Sequence, residues 1–508
     1  MMDSYQISLS QLLNGLVELG AGQDCLVKGL AMDSRGVQSG DLFFACVGAD
    51  GLSHGLDYMV QVVARGAVAV VYDVRDQSRL DVLLKAGSIG SAVPIMIAIP
   101  DFLEKIGVIA ARFYRDPSQN QFVIGITGTN GKTSCSHFLA QVLAQGLAGH
   151  EGGCGLIGTL GYGVYGRLVQ GSHTTPNALQ LQAELAAIRD AGVDQVVMEV
   201  SSHGLDQRRV SGVAFDAAVL TNLSQDHLDY HGDLKSYAAA KRRLFHVPGL
   251  RYAVINHDDA FGRRLAEQLP ESLQVLSYGF DQGADIHATA RRFDADGFEL
   301  LLVTPWGDGV LSSRLLGRFN ASNLLAVLAT LLIMGVPLQQ ALASLPRVEP
   351  VRGRMEHFGG MKGQPLVVVD YAHTPDALQQ VLQTLREHCR GQLWCVFGCG
   401  GDRDRGKRAQ MGSIAEQTAD RVIVTDDNPR HEAGAAIIED ILVGIAVPDR
   451  VVIERDRGAA IGLAVQSALV GDVVLVAGKG HEEYQLVGDQ VLPFSDRQQV
   501  IDLLREVA

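Results

Sequence analysis

No C-x-x-C pair occurs in this sequence. Its 7 cysteines (Cys25, Cys46, Cys135, Cys154, Cys389, Cys395 and Cys399) are odd in number and scattered. Such spacing argues against a zinc site or a disulfide framework and for reduced thiols. A basic excess is missing too: 43 Lys and Arg face 57 Asp and Glu, a formal net charge of -14. Coating nucleic acid requires a positive surplus to displace counterions, so no nucleic-acid partner is expected. A local basic pocket for a small anion stays open. The opening MMDSYQISLSQLLNGL lacks a basic leader followed by an apolar stretch, so no export signal is expected and a cytoplasmic location is. One long uncharged run, 319–346, contains Asn320, Asn323 and Gln339 and is broken by Gly335 and Pro337. Its helical part, about 321–334, falls short of the ~20 residues needed to cross a bilayer and predicts a buried core helix, without membrane insertion. Internal repeats and low-complexity segments are absent.

What is present is a chain of 508 residues, 47% hydrophobic and 20% charged, the balance of a folded soluble protein. At roughly 150 residues per domain it is too long for one core and predicts about three. Apolar runs rich in Val and Ile alternate with stretches of helical periodicity: 121–126, 194–200, 217–222, 366–371, 393–398, 420–426 and 472–478. Runs apolar on both faces belong to strands covered on both sides, so the expected class is α/β with parallel sheets. Seams near 98–101 and 343–356 divide the chain into 1–100, 101–350 and 351–508.

The segment VIGITGTNGKTSCSHFLAQVL (123–143) reads as strand, Gly-rich turn and helix. Backbone N–H groups freed by small residues, together with a helix N-terminus, make a cradle for phosphate. Lys132 is placed to reach the terminal phosphates, and the Thr133 hydroxyl to ligate Mg²⁺. The strict Walker spacing is not met, because position 126 is Ile and the glycines are Gly125, Gly128 and Gly131.

Other apolar runs end in polar clusters, as expected where ligands bind beyond the carboxyl ends of strands. They are Ser201-Ser202-His203-Gly204, the stretch 223–229, Asp370 with Tyr371-Ala372-His373, Gly400 to Arg403, Asp426 to Arg430, and Gly478 to Glu482. Any one of these could be a solvated loop; six in one chain point to a site. Glu199 sits inside an apolar strand, where an unpaired carboxylate is costly; a bound Mg²⁺ or a buried Arg partner resolves that cost. A dinucleotide fingerprint at 397–403 fails at its third Gly, which is Arg403, a residue suited to a carboxylate.

These motifs resemble those of the Mur ligase family, ATP-dependent amide-bond-forming enzymes of peptidoglycan synthesis. The resemblance runs through TGTNGKT (127–133), MEVSSHGL (198–205), TNLSQDHLDYHG (221–232), YAAAKRRLF (237–245), FNASN (319–323), RGRME (352–356) and DYAHTPDAL (370–378). DDNPR (426–430) is similar to the version in members that add meso-2,6-diaminopimelate as the third amino acid. The resemblance implies a UDP-substrate domain (1–100), a central P-loop parallel-sheet ATPase domain (101–350) and a C-terminal Rossmann-like amino-acid domain (351–508).

By the same resemblance, ATP is held by Gly128, Thr129, Asn130, Gly131, Lys132, Thr133, Asn320, Arg354 and Asp370, although Asn320 also suits a helix N-cap. Thr133, Glu199, His227 and Lys241 are implied around Mg²⁺. Lys241 matches the family's carbamylated lysine; an ordinary surface lysine in a Lys-Arg-Arg run is the alternative. A second-layer or packing role is the alternative for His227. Catalysis is assigned to Lys132, Lys241, Arg354 and His373. UDP-MurNAc-L-Ala-D-Glu falls to Ser34, Thr174, Thr175, Ser201, Gln207 and Arg209; no side chain is assigned in the loop 47–55. Diaminopimelate falls to Arg403, Asp427, Asn428, Arg430, Gly478 and Glu482, with a purely structural Arg–Glu salt bridge as the alternative. The implied reaction passes through an acyl phosphate, and a monomer is expected. Two rivals remain: folylpolyglutamate synthetase, with a similar phosphate loop, and a nucleotide-binding scaffold without transferase chemistry.

Overall fold

The computed structural model describes residues 5–48, 53–85, 93–147, 153–171, 173–294, 297–360 and 363–506. Residues 49–52 of the loop 47–55 therefore lie outside the described residues. The chain divides into two compact units. The first comprises 1–125, 152–217 and 243–251; the second comprises 126–151, 218–242 and 252–508.

In the first unit, Gly29–Ala31, Asp41–Ala45, Ala69–Asp73 and Ile95–Ile99 lie side by side, all parallel. Because alternate side chains point to opposite faces, Leu42, Phe44 and Val71 pack against the helix Phe102–Phe113 on one face. Phe43, Val70 and Tyr72 pack with Met59, Val62 and Leu80 on the other. In the same unit Gln195–Glu199 runs parallel to Gly155–Gly158, which pairs antiparallel with Gly161–Val164.

The second unit holds Tyr252–Asn256, Gln274–Gly279 and Ile286–Asp294 in parallel, followed by the antiparallel Gly297–Thr304 and Gly307–Ser313. The first part of the uncharged run forms the helix Arg318–Ile333, buried on every side from Asn323 to Leu332. Among the described residues no helix is long and apolar enough to cross a membrane. Asn320 is not its N-cap. Gly317 takes that place with φ 94°, and Asn320 sits inside the first turn, donating to Leu316 O at 2.9 Å.

Also in the second unit is a six-stranded sheet. Its strands, in spatial order, are Glu356–Gly359, Leu366–Asp370, Val473–Ala477, Leu393–Phe397, Arg421–Val424 and Val451–Ile453. All but the first are parallel. Val368, Phe397 and Leu475 fill one core and Val369, Val396 and Val476 the other, which is why these runs read as continuously apolar. Parallel strands share a carboxyl edge, so Asp370, Gly400–Arg403, Asp426–Arg430 and Gly478–Glu482 emerge on one side of the sheet. All seven predicted apolar runs contain strands. The seven cysteines are free thiols.

Candidate functional site

The phosphate loop follows the strand Phe122–Thr127 and opens the helix Lys132–Leu143. Only glycine fits at 128, where a Cβ would overlap Thr221 Oγ1, and at 131, where φ is 86° and a Cβ would press on Asn323 Oδ1. The loop is held from outside. Thr221 Oγ1 donates to Asn130 O at 2.6 Å, Asn130 N donates to Asn222 Oδ1 at 2.9 Å, and Thr129 N donates to Asn222 O at 2.9 Å. Thr129 Oγ1 donates to Ser224 O at 3.1 Å. Sequence reasoning missed Thr221 and Asn222, although both lie in the quoted TNLSQDH segment. Asp376, also missed, accepts from Asn130 Nδ2 at 3.3 Å.

Two lysines meet on one carbonyl. Lys132 Nζ donates to Gly128 O and Thr129 O, both at 2.9 Å, and Lys241 Nζ donates to the same Gly128 O at 2.7 Å. Lys241 is 1% exposed, so it is no surface lysine; burial first, and then the Lys132 charge, hold its pKa well below the ordinary lysine range. That lowering raises the share of neutral amine above that of a solvated lysine. Nearby, Asp226 is pushed up by burial and pulled down further by His227, His373 and Lys132, for a net lowering. His227, in a left-handed conformation (φ 53°), lies 3.4 Å from Asp226 and is pushed down to about 4, chiefly by burial. It is therefore neutral at pH 7 and keeps a ring lone pair.

Arg354 stacks over the Tyr371 ring at 4.3 Å and reaches Thr133 Oγ1 at 3.4 Å, while its buried Nε has no partner among the described residues. Asp370 accepts from Met355 N at 2.7 Å; burial pushes it up to about 6 against the pull of Arg354. His373 shares a hydrogen bond with Tyr371 O at 2.8 Å and is pushed down to about 4 by burial and then by Lys407. Phosphate loop, Lys241, His227, Arg354, Asp370 and His373 thus belong to one unit.

Along the six-stranded sheet's carboxyl edge stands a second polar cluster, beside Asp370, whose carbonyl accepts from Gly478 N at 3.1 Å. Lys479 is fully buried and donates to Asn428 Oδ1 at 3.0 Å and Glu482 Oε2 at 2.7 Å. Asn428 Nδ2 closes the triangle on Glu482 Oε2 at 2.9 Å, and Leu486 N donates to Asn428 Oδ1 at 2.9 Å. Asp427 caps Asn428 N at 2.7 Å, and a Cβ at Gly478 would press on its carboxylate. Arg430 (φ 51°) donates to Gly401 O at 2.7 Å, and Arg403 to Asp402 O at 3.0 Å. The structural Arg–Glu salt bridge raised as the alternative is not formed: Glu482 takes Lys479, because their three-residue spacing brings them together while Arg430 turns toward the 400–403 loop. Lys479 lies in the Gly478 to Glu482 cluster singled out in the sequence, but no role was assigned to it there.

The first unit carries its own cluster. Glu199 is fully buried and accepts from Thr159 N at 2.8 Å and Thr159 Oγ1 at 3.1 Å, and Thr174 shares a hydrogen bond with Thr159 at 3.0 Å. Thr175 Oγ1 donates to Glu199 O at 2.9 Å and accepts from Ser201 N at 3.0 Å. Ser201 caps the next helix, and Arg209 binds Thr175 O at 2.8 Å and Gln207 Oε1 at 2.6 Å. Thr174, Thr175, Ser201, Gln207 and Arg209 therefore form one connected network around Glu199. Ser34, buried, donates to Gln61 at 3.2 Å. Among the described residues no three His, Cys, Asp or Glu side chains converge as a metal cage. A Mg²⁺ carried largely by phosphate oxygens needs only one or two protein ligands, which Thr133 at the helix start and a neutral His227 suit.

Residues 126–331 match the Mur ligase middle domain and 353–480 the Mur ligase glutamate ligase domain. The chain is 51% identical over 480 residues to the Pseudomonas aeruginosa UDP-N-acetylmuramoyl-L-alanyl-D-glutamate–2,6-diaminopimelate ligase, covering 94% of this chain and 95% of that one. A solved structure of a ligase of the same name superposes with a TM-score of 0.70 at 35% identity, covering 99% of both chains. The Mycobacterium tuberculosis folylpolyglutamate synthase, at 21% identity, a TM-score of 0.60 and 74% of this chain, shares the fold.

Proposed function

This chain belongs to the Mur ligase family, ATP-dependent amide-bond-forming ligases, and from that premise we propose that it joins meso-2,6-diaminopimelate to the D-Glu γ-carboxyl of UDP-MurNAc-L-Ala-D-Glu. One observation carries the reading. A phosphate loop and a DDNPR cluster braced by Lys479 occur in one unit of a chain 51% identical to a ligase of that name. In this reading the γ-carboxylate attacks the γ-phosphorus of ATP, giving an acyl phosphate and ADP. The diaminopimelate amine then adds to the acyl carbon, loses a proton, and expels phosphate.

A carboxylate is a poor acyl donor, so the chain's task is positioning and charge neutralisation. Lys132 exchanges its loop carbonyls for phosphate oxygens, and Arg354, stacked on Tyr371, offers its unpartnered Nε to the same charge. Asp370 and Asn320 serve the nucleoside, and His373 lies near the reacting phosphate. Magnesium would be held by Thr133, Glu199, His227 and Lys241, and supplies charge neutralisation at the phosphates. Carbamylation of the buried Lys241 amine by CO₂, with release of a proton, makes an anionic oxygen donor. Ser34, Thr174, Thr175, Ser201, Gln207 and Arg209 bind the UDP-dipeptide. Arg403, Asp427, Asn428, Arg430, Gly478 and Glu482 bind diaminopimelate, in domains bounded at 1–100, 101–350 and 351–508. The protein acts as a cytoplasmic monomer in peptidoglycan precursor synthesis, on which cell shape and division depend.

Phosphate release is the test. It should require ATP, Mg²⁺, the UDP-MurNAc-dipeptide and diaminopimelate together, with diaminopimelate outcompeting L-lysine. Turnover with neither amino acid, or with folate substrates, sinks the reading. Activity in CO₂-depleted buffer should fall and return with bicarbonate if Lys241 is carbamylated.

A further inference from the structure

Away from both clusters, within the second unit, lies a cavity of about 910 Å³. Its walls come from the antiparallel strands 286–313 and from the strap 346–357 that leads into the six-stranded sheet. Arg292, Arg314 and Arg347 line it, with Phe298 among its apolar surfaces. The Arg314 and Arg347 side chains have no hydrogen bond or ion pair with any described residue. Two carboxylates share the lining. Glu356 is already matched by Arg497, at 2.5 and 2.6 Å, leaving Glu349 against the Arg314 and Arg347 guanidiniums. That small positive surplus is local, on a chain of net charge -14.

The strap also touches the nucleotide machinery. Glu349 is clamped at both backbone atoms by Gln141 of the phosphate-loop helix: Glu349 N donates to Gln141 Oε1 at 2.8 Å, and Gln141 Nε2 donates to Glu349 O at 3.0 Å. Five residues on, Arg354 reaches Thr133, and Met355 N holds Asp370. The geometry points to this cavity as a second, regulatory site for a small organic anion of at least two negative charges, a phosphate monoester or a polycarboxylate. A guanidinium suits such groups in bidentate fashion, and the volume falls in the range of small-molecule sites and exceeds that of a bare phosphate. Drawing Arg347 toward Arg314 shifts the strap, and through Gln141 and Arg354 it alters ATP affinity.

The full chain, saturated with ADP to block the phosphate loop, is titrated calorimetrically with 3-phosphoglycerate and, separately, with tricarballylate. Saturable one-site binding of at least one is expected, and which one binds names the source. R314A/R347A should weaken it about tenfold or more, and R347E should abolish it, both with unchanged melting temperature because these side chains are exposed. K132A should retain it. The bound anion should move KM for ATP at least about twofold in the unmodified chain and not in R314A/R347A. No saturable binding, equal affinity in R314A/R347A, loss in K132A, or binding without a change in KM overturns the proposal.

Discussion

Lys479→Met tests whether the buried triangle organises the amino-acid end of the site. The substitution keeps most of the volume and removes the ammonium that binds Glu482 at 2.7 Å and Asn428 at 3.0 Å. Removing one partner of a buried ion pair costs about 3–5 kcal/mol. Here Glu482 keeps its bond from Asn428 and is 15% exposed, and Asn428 Oδ1 keeps Leu486 N, so the cost falls below that range, to the ~2 kcal/mol of a hydrogen bond to a charged group. Expressed as amino-acid recognition, that is a KM for diaminopimelate raised roughly 30-fold, with KM for ATP within about twofold. Steady-state phosphate release at varied diaminopimelate and varied ATP separates the two. Adding E482Q removes the stranded charge, so K479M/E482Q should be less impaired than the sum of its single changes, by ~1–2 kcal/mol. Equal damage to both KM values, or strict additivity in the pair, would refute a local positioning role.

Arg430→Ala removes the guanidinium bound to Gly401 O. Diaminopimelate use should fall about 10- to 100-fold, the worth of a charged hydrogen bond, while ATP binding measured by fluorescence displacement stays nearly unchanged. Arg457→Met strands Asp496 inside the protein, where the two make a fully buried bidentate pair. Chemical denaturation should register about 3–5 kcal/mol of lost stability. His137, His373 and His481 are held neutral by burial, with pKa values pushed down to about 4, 4 and 3. The unfolded chain takes up their protons near pH 6.5, so stability contributed above that pH is lost as pH falls toward 4, by up to ~3 kcal/mol for His137. Asp370, raised to about 6, works the other way, favouring the fold below pH 4 and losing that contribution as pH rises through 6. A melting temperature flat between pH 7 and 4.5 would contradict the histidine assignment.

The strands were legible because two-sided burial leaves no alternation to hide: Val367–Val369 and Val473–Val476 are apolar at every position, each facing one core or the other. Gly128 and Gly131 were legible because nothing larger fits there. What could not be read were partners set by sheet order. Thr221 and Asn222 follow the strand Ala217–Leu220, and their hold on Asn130 depends on which strand lies beside the phosphate loop. For Glu482 the sequence suggested only an arginine partner; its pairing with Lys479 comes from their three-residue spacing in a turn, while Arg430 turns toward the 400–403 loop. Asn320 failed as a cap for a local reason: the positive φ of Gly317 lets the chain enter the helix three residues earlier.

The Gly128 carbonyl, gripped from two sides by lysine, makes nucleotide capture a trade and not a simple gain. Lys132 has to surrender two short contacts before it can serve a phosphate, so a monovalent ion such as chloride repays too little to dislodge it. Exchange of those contacts therefore favours an anion whose charge outweighs two neutral carbonyl acceptors.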